Sequence, residues 1–249
     1  MYEDLAEIYD FLVAGVDYEA WVDYLEEMLD RFGRRRPETV AELACGTGKI
    51  LFSLARRGYR VWGVDISARM IAAAGRKARE LGLPVELRVQ DMRDFRLEKP
   101  VELVVCFHDG LNYLTEFSGL VRAFRSVRCN LAPGGLFVFD VNTLTWLAGL
   151  SGEAGEYREE NLHLAWETRY DRTGPFWEIR LEACIRGKGG EKKFTEVHRE
   201  RGYTPGEVVR ALSLAGLEAL AAYDAFTFEP VRETSRRHFH VARRPGDDL

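Results

Sequence analysis

Leu5, Ile8 and Leu12 share one helical face, and Trp21, Leu25, Met28 and Phe32 share another at the i, i+4, i+7, i+11 spacing. Two amphipathic helices therefore precede the first strand. Val40 to Leu51 (VAELACGTGKIL) then runs from an apolar strand through a glycine turn into the helical spacing Ile50, Leu51, Leu54, and Gly58 ends that unit. Arg60 to Asp65 (RVWGVD) is a short apolar run closed by an acid. Ser67 can cap the next helix, whose inner face is Met70, Ile71, Ala74, Ala78 and Leu81 before Gly82 and Pro84 stop it. Val85, Leu87 and Val89 alternate up to Gln90-Asp91-Met92. Val101 to Phe107 is nearly all apolar, the mark of a central strand covered on both faces. Leu120, Phe124, Val127 and Leu131 predict a helix terminated at Pro133-Gly134-Gly135, and Leu136 to Val141 a fifth strand. Strands alternating with helices of this length predict an α/β fold with a parallel sheet wound by right-handed crossovers.

The period changes after Asn142. Leu162, Leu164, Trp166, Thr168 and Tyr170 alternate with polar residues, Thr173-Gly174-Pro175 turns the chain, and Trp177, Ile179, Leu181, Ala183 and Ile185 alternate again. Gly187 to Gly190 make a further turn before a third strand near Phe194 to Arg201. This predicts a small antiparallel insertion with one covered and one wet face. Thr204-Pro205-Gly206-Glu207 is a capping box that opens a helix closed by Gly216, and strands near Glu218–Tyr223 and His238–Ala242 complete the sheet. The expected division is a helical lid at 1–36, an α/β core at 37–142, the insertion at 143–202 as a substrate cover, and completion of the core at 203–249. Tyr2, Tyr9, Tyr18 and Trp21 suit such a lid over an apolar or cationic ligand, or simple packing.

With 249 residues and 46% hydrophobic content, one core with an insertion is the expected size. A net charge of −5 provides no global cationic field, so no nucleic-acid partner is expected, and Arg34-Arg35-Arg36 reads as a solvated linker. The cysteines Cys45, Cys106, Cys129 and Cys184 form no C-x-x-C pair, and neither a metal site nor a disulfide framework is expected. No signal-peptide pattern or membrane-length apolar run is present, so a cytoplasmic protein with no membrane partner is expected.

Ligands of open α/β sheets sit beyond the carboxyl ends of the strands, which aligns Gly46, Gly48, Asp65, Asp91, Phe107 to Tyr113 and Asn142 along one rim. Glycines at the turn serve either a tight strand-to-helix connection or close approach of backbone to ligand. Asp65 lies 19 residues beyond Gly46, the separation at which an acid ending the second strand accepts hydrogen bonds from a ribose diol. Leu51 stands where a dinucleotide fingerprint would need a third glycine, so the expected ligand is a nucleoside lacking a diphosphate.

Glu42-x-Ala44-Cys45-Gly46-Thr47-Gly48, Val64-Asp65-Ile66-Ser67 followed by Met70, Gln90-Asp91-Met92 and Leu131-x-Pro133-Gly134-Gly135 resemble, in order and spacing, the motifs of class I S-adenosylmethionine-dependent methyltransferases. The resemblance covers residues 37 to 142 specifically. It implies a Rossmann-like, mostly parallel seven-stranded sheet with helices on both faces, and S-adenosylmethionine as cofactor with S-adenosylhomocysteine as product. It further implies that Glu42 supports the glycine turn and approaches the methionine moiety, while Ala44, Gly46 and Gly48 give close backbone approach. Asp65 would hold the ribose hydroxyls, Ile66 flank the adenine and Met70 belong to the same lining. Asp91 would accept from the adenine amino group, Met92 line the ring, and the backbone of Phe107 meet the methionine amine. Tyr9 and Trp21 resemble aromatics that cover the cofactor in small-molecule members.

Phe107-His108-Asp109-Gly110-Leu111-Asn112-Tyr113-Leu114 resembles the D-S-L-N-Y-L run of those members, with Gly110 in place of serine. His108 is a candidate general base, an exposed loop residue or a packing residue; Asp109, Asn112 and Tyr113 are candidates for positioning the acceptor or for helix capping. His198 and Arg201 could lean over the site from the insertion, or be solvated charged residues of an edge strand. The resulting expectation is methyl transfer to the N or O of a small molecule by alignment and exclusion of water, in a monomer or homodimer. Two other readings stay open: a non-catalytic sensor or partner subunit that binds the cofactor, and a nicotinamide-dependent oxidoreductase.

Overall fold

The computed structural model describes residues 4–171, 174–187 and 190–246. Tyr2, Thr173 and the middle of the turn expected between Gly187 and Gly190 lie outside the described residues. In chain order the elements are α1 (Tyr9–Leu12), α2 (Tyr18–Phe32), β1 (Thr39–Leu43), α3 (Lys49–Arg56), β2 (Arg60–Asp65), α4 (Ala68–Leu81), β3 (Val85–Val89), β4 (Val101–Cys106) and α5 (Phe117–Asn130). There follow β5 (Leu131–Asn142), α6 (Leu144–Gly149), β6 (Ala154–Arg158), β7 (Leu162–Asp171), β8 (Phe176–Gly187), β9 (Gly190–Arg201), α7 (Pro205–Ala215), β10 (Glu218–Asp224) and β11 (Arg237–Arg243).

Seven strands form one sheet in the order β10-β11-β5-β4-β1-β2-β3, and only β11 runs antiparallel to its neighbours. The expected mostly parallel α/β sheet is therefore present. Alternation along β4 explains its apolar run: Leu103 and Val105 enter the core beneath α2 and α3, while Val104 and Cys106 enter the core beneath α5 and α7. The caps act where the sequence places them. Ser67 accepts from the Met70 N–H, Thr204 and Glu207 form the capping box, and Gly82 and Gly216 end their helices with φ of 64° and 73°.

Three expectations need correction. The first predicted helix is broken into a 3-10 turn (Leu5–Glu7) and the single turn α1, yet Leu5 and Ile8 remain buried, so the spacing was read correctly and the continuity was not. Pro133-Gly134-Gly135 does not separate α5 from β5. The chain is already extended at Leu131, which pairs with Val101, and the Gly134 N–H donates to the Arg244 carbonyl at 2.9 Å, so the motif lies inside an irregular start of the strand. The insertion has four strands, β6-β7-β8-β9, instead of three. β6 carries no buried residue to betray it, being an edge strand with exposed and half-exposed positions in turn.

The antiparallel sheet stands over the carboxyl ends of the main sheet's strands. Its inner residues Leu164, Leu181 and Ala183 pack on Leu5 and Ile8, and the backbone N–H groups of Asp4 and Leu5 both donate to Glu196 Oε1 at 2.8 Å. The N-terminal segment and the insertion are thus joined to each other.

Candidate active site

The strand order reverses at β1, with β2 on one side and β4 on the other, and a crevice opens beyond the carboxyl ends there. Ala44, Gly46 and Gly48 take left-handed φ values of 53°, 53° and 89° in the turn after β1. Asp65 fixes that turn: its Oδ2 accepts the Gly46 N–H at 2.9 Å and its Oδ1 the Ser67 N–H at 2.8 Å. Burial raises the Asp65 carboxyl above the usual range in spite of these donors. Gly48 has its own structural reason. Besides its φ, a Cβ there would stand 2.6 Å from the Phe52 ring.

Gly46, Asp65, Ile66, Met70, Asp91 and Met92 line a cavity of about 310 Å³ that also reaches Tyr9, His108 and Tyr113. Met70 is buried, whereas Ile66 is 55% exposed at the rim. Asp91 is engaged with Arg93, whose Nε lies 3.0 and 2.9 Å from the two carboxylate oxygens. These hydrogen bonds hold the Asp91 carboxyl below the usual range against the effect of burial.

A narrow recess of about 40 Å³ continues from this cavity between Tyr9, Tyr18, Glu42, Ala44, Gly46, Phe107 and His108. Glu42 is 4% exposed, and its Oε2 is buried with no hydrogen-bond partner among the described residues. Burial, reinforced by the charge of Asp65, pushes the Glu42 carboxyl well above its usual value. A buried acceptor left unpaired costs about 1–3 kcal/mol, so this recess is suited to a ligand that brings a donor.

A third space, of about 330 Å³, lies between the N-terminal segment and the antiparallel sheet. Leu5, Leu12, Val13, Leu164, Trp166, Trp177, Ile179 and Leu181 make its apolar walls, and Asp109, Tyr113, His198 and Glu200 its polar part. Tyr9 and His108 line all three spaces, and Tyr113 lines the two larger ones. The three spaces therefore meet around these side chains.

The backbone that carries His108 is held by groups the sequence reading missed. His108 and Asp109 have φ of 59° and 63°, and both N–H groups donate to Asp140, at 2.7 and 3.2 Å. Arg237 pairs with the buried Asp140 and, at 3.2 Å, with Asp109. Burial pushes the Asp109 carboxyl up, but the His108 ring and the Arg237 guanidinium outweigh it and leave it below the usual range. Burial keeps the Asp140 carboxyl above the usual range despite Arg237. Asp140 had a sequence signal, an acid inside the apolar run Leu136 to Val141; Arg237 had none.

Other expected residues lie elsewhere. The Asn112 amide is consumed by structure: Nδ2 donates to the carbonyls of Asn142 (3.1 Å) and Arg201 (2.7 Å), and Oδ1 accepts the Asn142 N–H at 2.9 Å. It staples the loop after β4 to β5 and β9 and is not presented to an acceptor. Trp21 is 6% exposed and packs in the core against Phe107, Phe226 and Phe239, with the His108 ring 5.6 Å away, so it supports the site from behind. Phe107 is likewise buried but borders the narrow recess. Arg201 pairs with Glu207 at 2.6 Å, away from the chamber. His198 does reach the chamber, its Nε2 3.1 Å from Glu196 Oε2 and its ring 6.0 Å from that of Tyr113. Burial lowers its pKa against the pull of Glu196.

Residues 40–135 match the family described as "Methyltransferase domain". The chain is 31% identical to the "Putative methyltransferase GWCH70_2453" of Geobacillus sp. (strain WCH70), over 98% of this chain and 99% of that one. The chain belongs to the class I S-adenosylmethionine-dependent methyltransferases. A crystal structure of an S-adenosylmethionine-dependent methyltransferase from Clostridium acetobutylicum superposes on this methyltransferase with a TM-score of 0.85 at 27% identity, covering 98% of each chain. A dTDP-4-amino-2,3,4,6-tetradeoxy-D-glucose N,N-dimethyltransferase of Saccharopolyspora spinosa is 27% identical over 87% of this chain and 86% of its own. The methyltransferase therefore uses S-adenosylmethionine, and the nicotinamide-dependent and non-catalytic readings are not favoured. Among the described residues no helix is long and apolar enough to cross a membrane.

Proposed function

We propose that this methyltransferase binds its cofactor along Gly46, Asp65 and Asp91 and moves the methyl group to an N or O atom of a small molecule held in the chamber under the antiparallel sheet. The observation that carries the reading is the meeting of the three spaces at Tyr9, His108 and Tyr113. A ligand filling the first cavity and the recess would present its middle at that junction, facing the chamber. S-adenosylmethionine, when bound, supplies an electrophilic methyl on a sulfonium. The protein's contribution is alignment and exclusion of water, an effect worth up to roughly 7–11 kcal/mol for well-oriented reactants.

In this reading Asp65 takes the ribose hydroxyls on the lone pairs left by Gly46 and Ser67, and Ile66, Met70 and Met92 flank the adenine. Asp91 accepts from the adenine amine once its pairing with Arg93 is shared or exchanged. The unpaired Glu42 oxygen and the Phe107 backbone receive the methionine end, with Ala44 and Gly46 allowing close approach. Tyr9 covers the junction, and His108, Tyr113 and His198 border the acceptor. The lid at 1–36, the core at 37–142, the cover at 143–202 and the completion at 203–249 act together. The enzyme is read as cytoplasmic, as a monomer or homodimer, with no nucleic-acid or membrane partner.

Calorimetric titration with S-adenosylhomocysteine, followed by a tritium-labelled methyl-transfer screen over small amines and alcohols, tests the reading. Micromolar binding and transfer to a member of the screen are expected. Absence of S-adenosylhomocysteine binding would overturn it.

A further inference from the structure

The acceptor chamber contains more fixed acid than fixed base. Glu200 lies on β9 in the alternation Glu196, His198, Glu200, facing the same side as its cross-strand neighbour Trp177. It is 4% exposed, lines the chamber, and accepts at Oε2 from Asn142 Nδ2 at 3.2 Å. Among the described residues it makes no ion pair. Asp109 lines the same chamber and Asp140 is buried behind it, so three carboxylates surround one guanidinium, that of Arg237, which is already shared by Asp109 and Asp140. Among the described residues the other titratable groups facing the chamber are Tyr9, His108, Tyr113 and His198, none of them a permanent cation.

A buried carboxylate without a counter-charge is costly unless it takes up a proton or a cation. Burial, reinforced by the charge of Asp109, pushes the Glu200 carboxyl well above its usual value, with the Asn142 hydrogen bond and Arg237 opposing. The rest of the chamber is apolar and aromatic, with the Trp166 and Trp177 rings available to the body of a ligand or to a cation. A neutral hydroxyl acceptor would offer Glu200 no counter-charge and leave it to hold a proton instead, and a carboxylate or phosphate would add to the acid already there. An ammonium group on an apolar body matches both features.

We propose that Glu200 selects a small amphipathic amine as the methyl acceptor and takes the proton that must leave nitrogen before attack. The inference rests on the methyl-transfer reading above. The ammonium gives one proton to the Glu200 carboxylate and becomes a neutral amine. Its lone pair forms the N–C bond to the methyl as the S–C bond breaks, and that electron pair stays on sulfur. The methylated ammonium and the neutral thioether depart, and Glu200 returns its proton to solvent. Glu200 is thereby both a specificity determinant and a proton acceptor.

The test is calorimetric binding of 2-phenylethylamine and its neutral counterpart 2-phenylethanol to the protein loaded with S-adenosylhomocysteine, in wild type and Glu200→Gln. In wild type at neutral pH the amine is expected to bind about 10-fold or more tightly than the alcohol, as charge-assisted hydrogen bonding predicts. In the variant that preference is expected to vanish while S-adenosylhomocysteine affinity stays within about 2-fold, roughly 0.4 kcal/mol. Equal or tighter binding of the alcohol by wild type, no measurable binding of either probe, or a preference that survives in Glu200→Gln would overturn the inference. Loss of S-adenosylhomocysteine binding in wild type would instead overturn the methyl-transfer reading beneath it.

Discussion

Replacing Arg237 with Met removes the single guanidinium between Asp109 and Asp140 and keeps the length of the side chain. Its own side chain is 18% exposed and that of Asp140 is fully buried, so the two carboxylates left behind are uncompensated. Breaking a buried pair from one side costs about 3–5 kcal/mol. For a chain of this size each kcal/mol moves Tm by roughly 2–4 °C, which predicts a fall of roughly 6–20 °C. Asp140 also holds the two left-handed residues, His108 and Asp109, through their N–H groups. Such conformations cost of order 1–3 kcal/mol each and persist only where the surroundings hold them. Asp140→Asn is therefore also destabilising. The double variant should lose less than the sum of the single losses, by about 0.5–3 kcal/mol, because Asp140 is then no longer a stranded charge and only Asp109 remains without its guanidinium. Thermal and urea unfolding of the four proteins measure this. A fall in Tm below about 2 °C for Arg237→Met, or additivity within about 0.5 kcal/mol, would refute the view that these groups act as one clamp.

Glu42→Gln should stabilise the ligand-free protein by about 1–3 kcal/mol at neutral pH and by nothing near pH 4. Because the folded Glu42 pKa is raised, its contribution is fully present below the ordinary carboxylate value and is lost as pH rises, which the amide avoids. The same variant should weaken S-adenosylhomocysteine binding by about 10-fold or more by calorimetry, and unchanged affinity would count against the role given to Glu42. His240 is buried and stacked on Phe139, and burial, with the neighbouring His238, pulls its pKa from 6.5 to about 3. Stability from this group is present above pH 6.5 and lost as pH falls toward 3, so His240→Phe should flatten the acid limb of a pH–stability curve by about one proton. Asn112→Ala strands three backbone groups and should cost about 2–4 kcal/mol in urea unfolding; a variant of native stability with reduced transfer would restore Asn112 to direct contact with the acceptor.

The core was readable because β1, β2, β4, β5 and β11 carry buried positions on both faces, as Val104 and Val105 do on opposite sides of β4. The glycine turn was readable for a related reason, since backbone conformation there is dictated by residue type. β6 and α6 were not, because AGEYR has no buried face and LTWLAG is too short to show a helical period. Within the site, Gly46, Asp65 and Asp91 lie at consecutive strand ends and could be placed by spacing alone. Asp140, Glu200 and Arg237 gather from β5, β9 and β11, and such a gathering follows only from the pairing of β5 with β11 and the placing of the second sheet's β9 beside them. The alternation of Glu196, His198 and Glu200 with Val197 and Arg199 carries a signal for polar groups facing inward on β9, of which the sequence reading took up only His198. Asn112 misled because a polar residue in a loop gives no hint that its amide is spent on bridging three elements.

The attachment of the N-terminal segment to the antiparallel sheet through Glu196 and the Leu5–Leu181 packing bears on how such an enzyme is re-engineered. A graft that exchanges residues 143–202 alone would import one wall of the chamber and leave the opposite wall shaped for its predecessor. The transplantable module is discontinuous in sequence, the opening turns together with the late hairpins. Libraries aimed at new acceptors should diversify Leu5, Leu12 and Val13 in the same rounds as Leu164, Trp177 and Ile179.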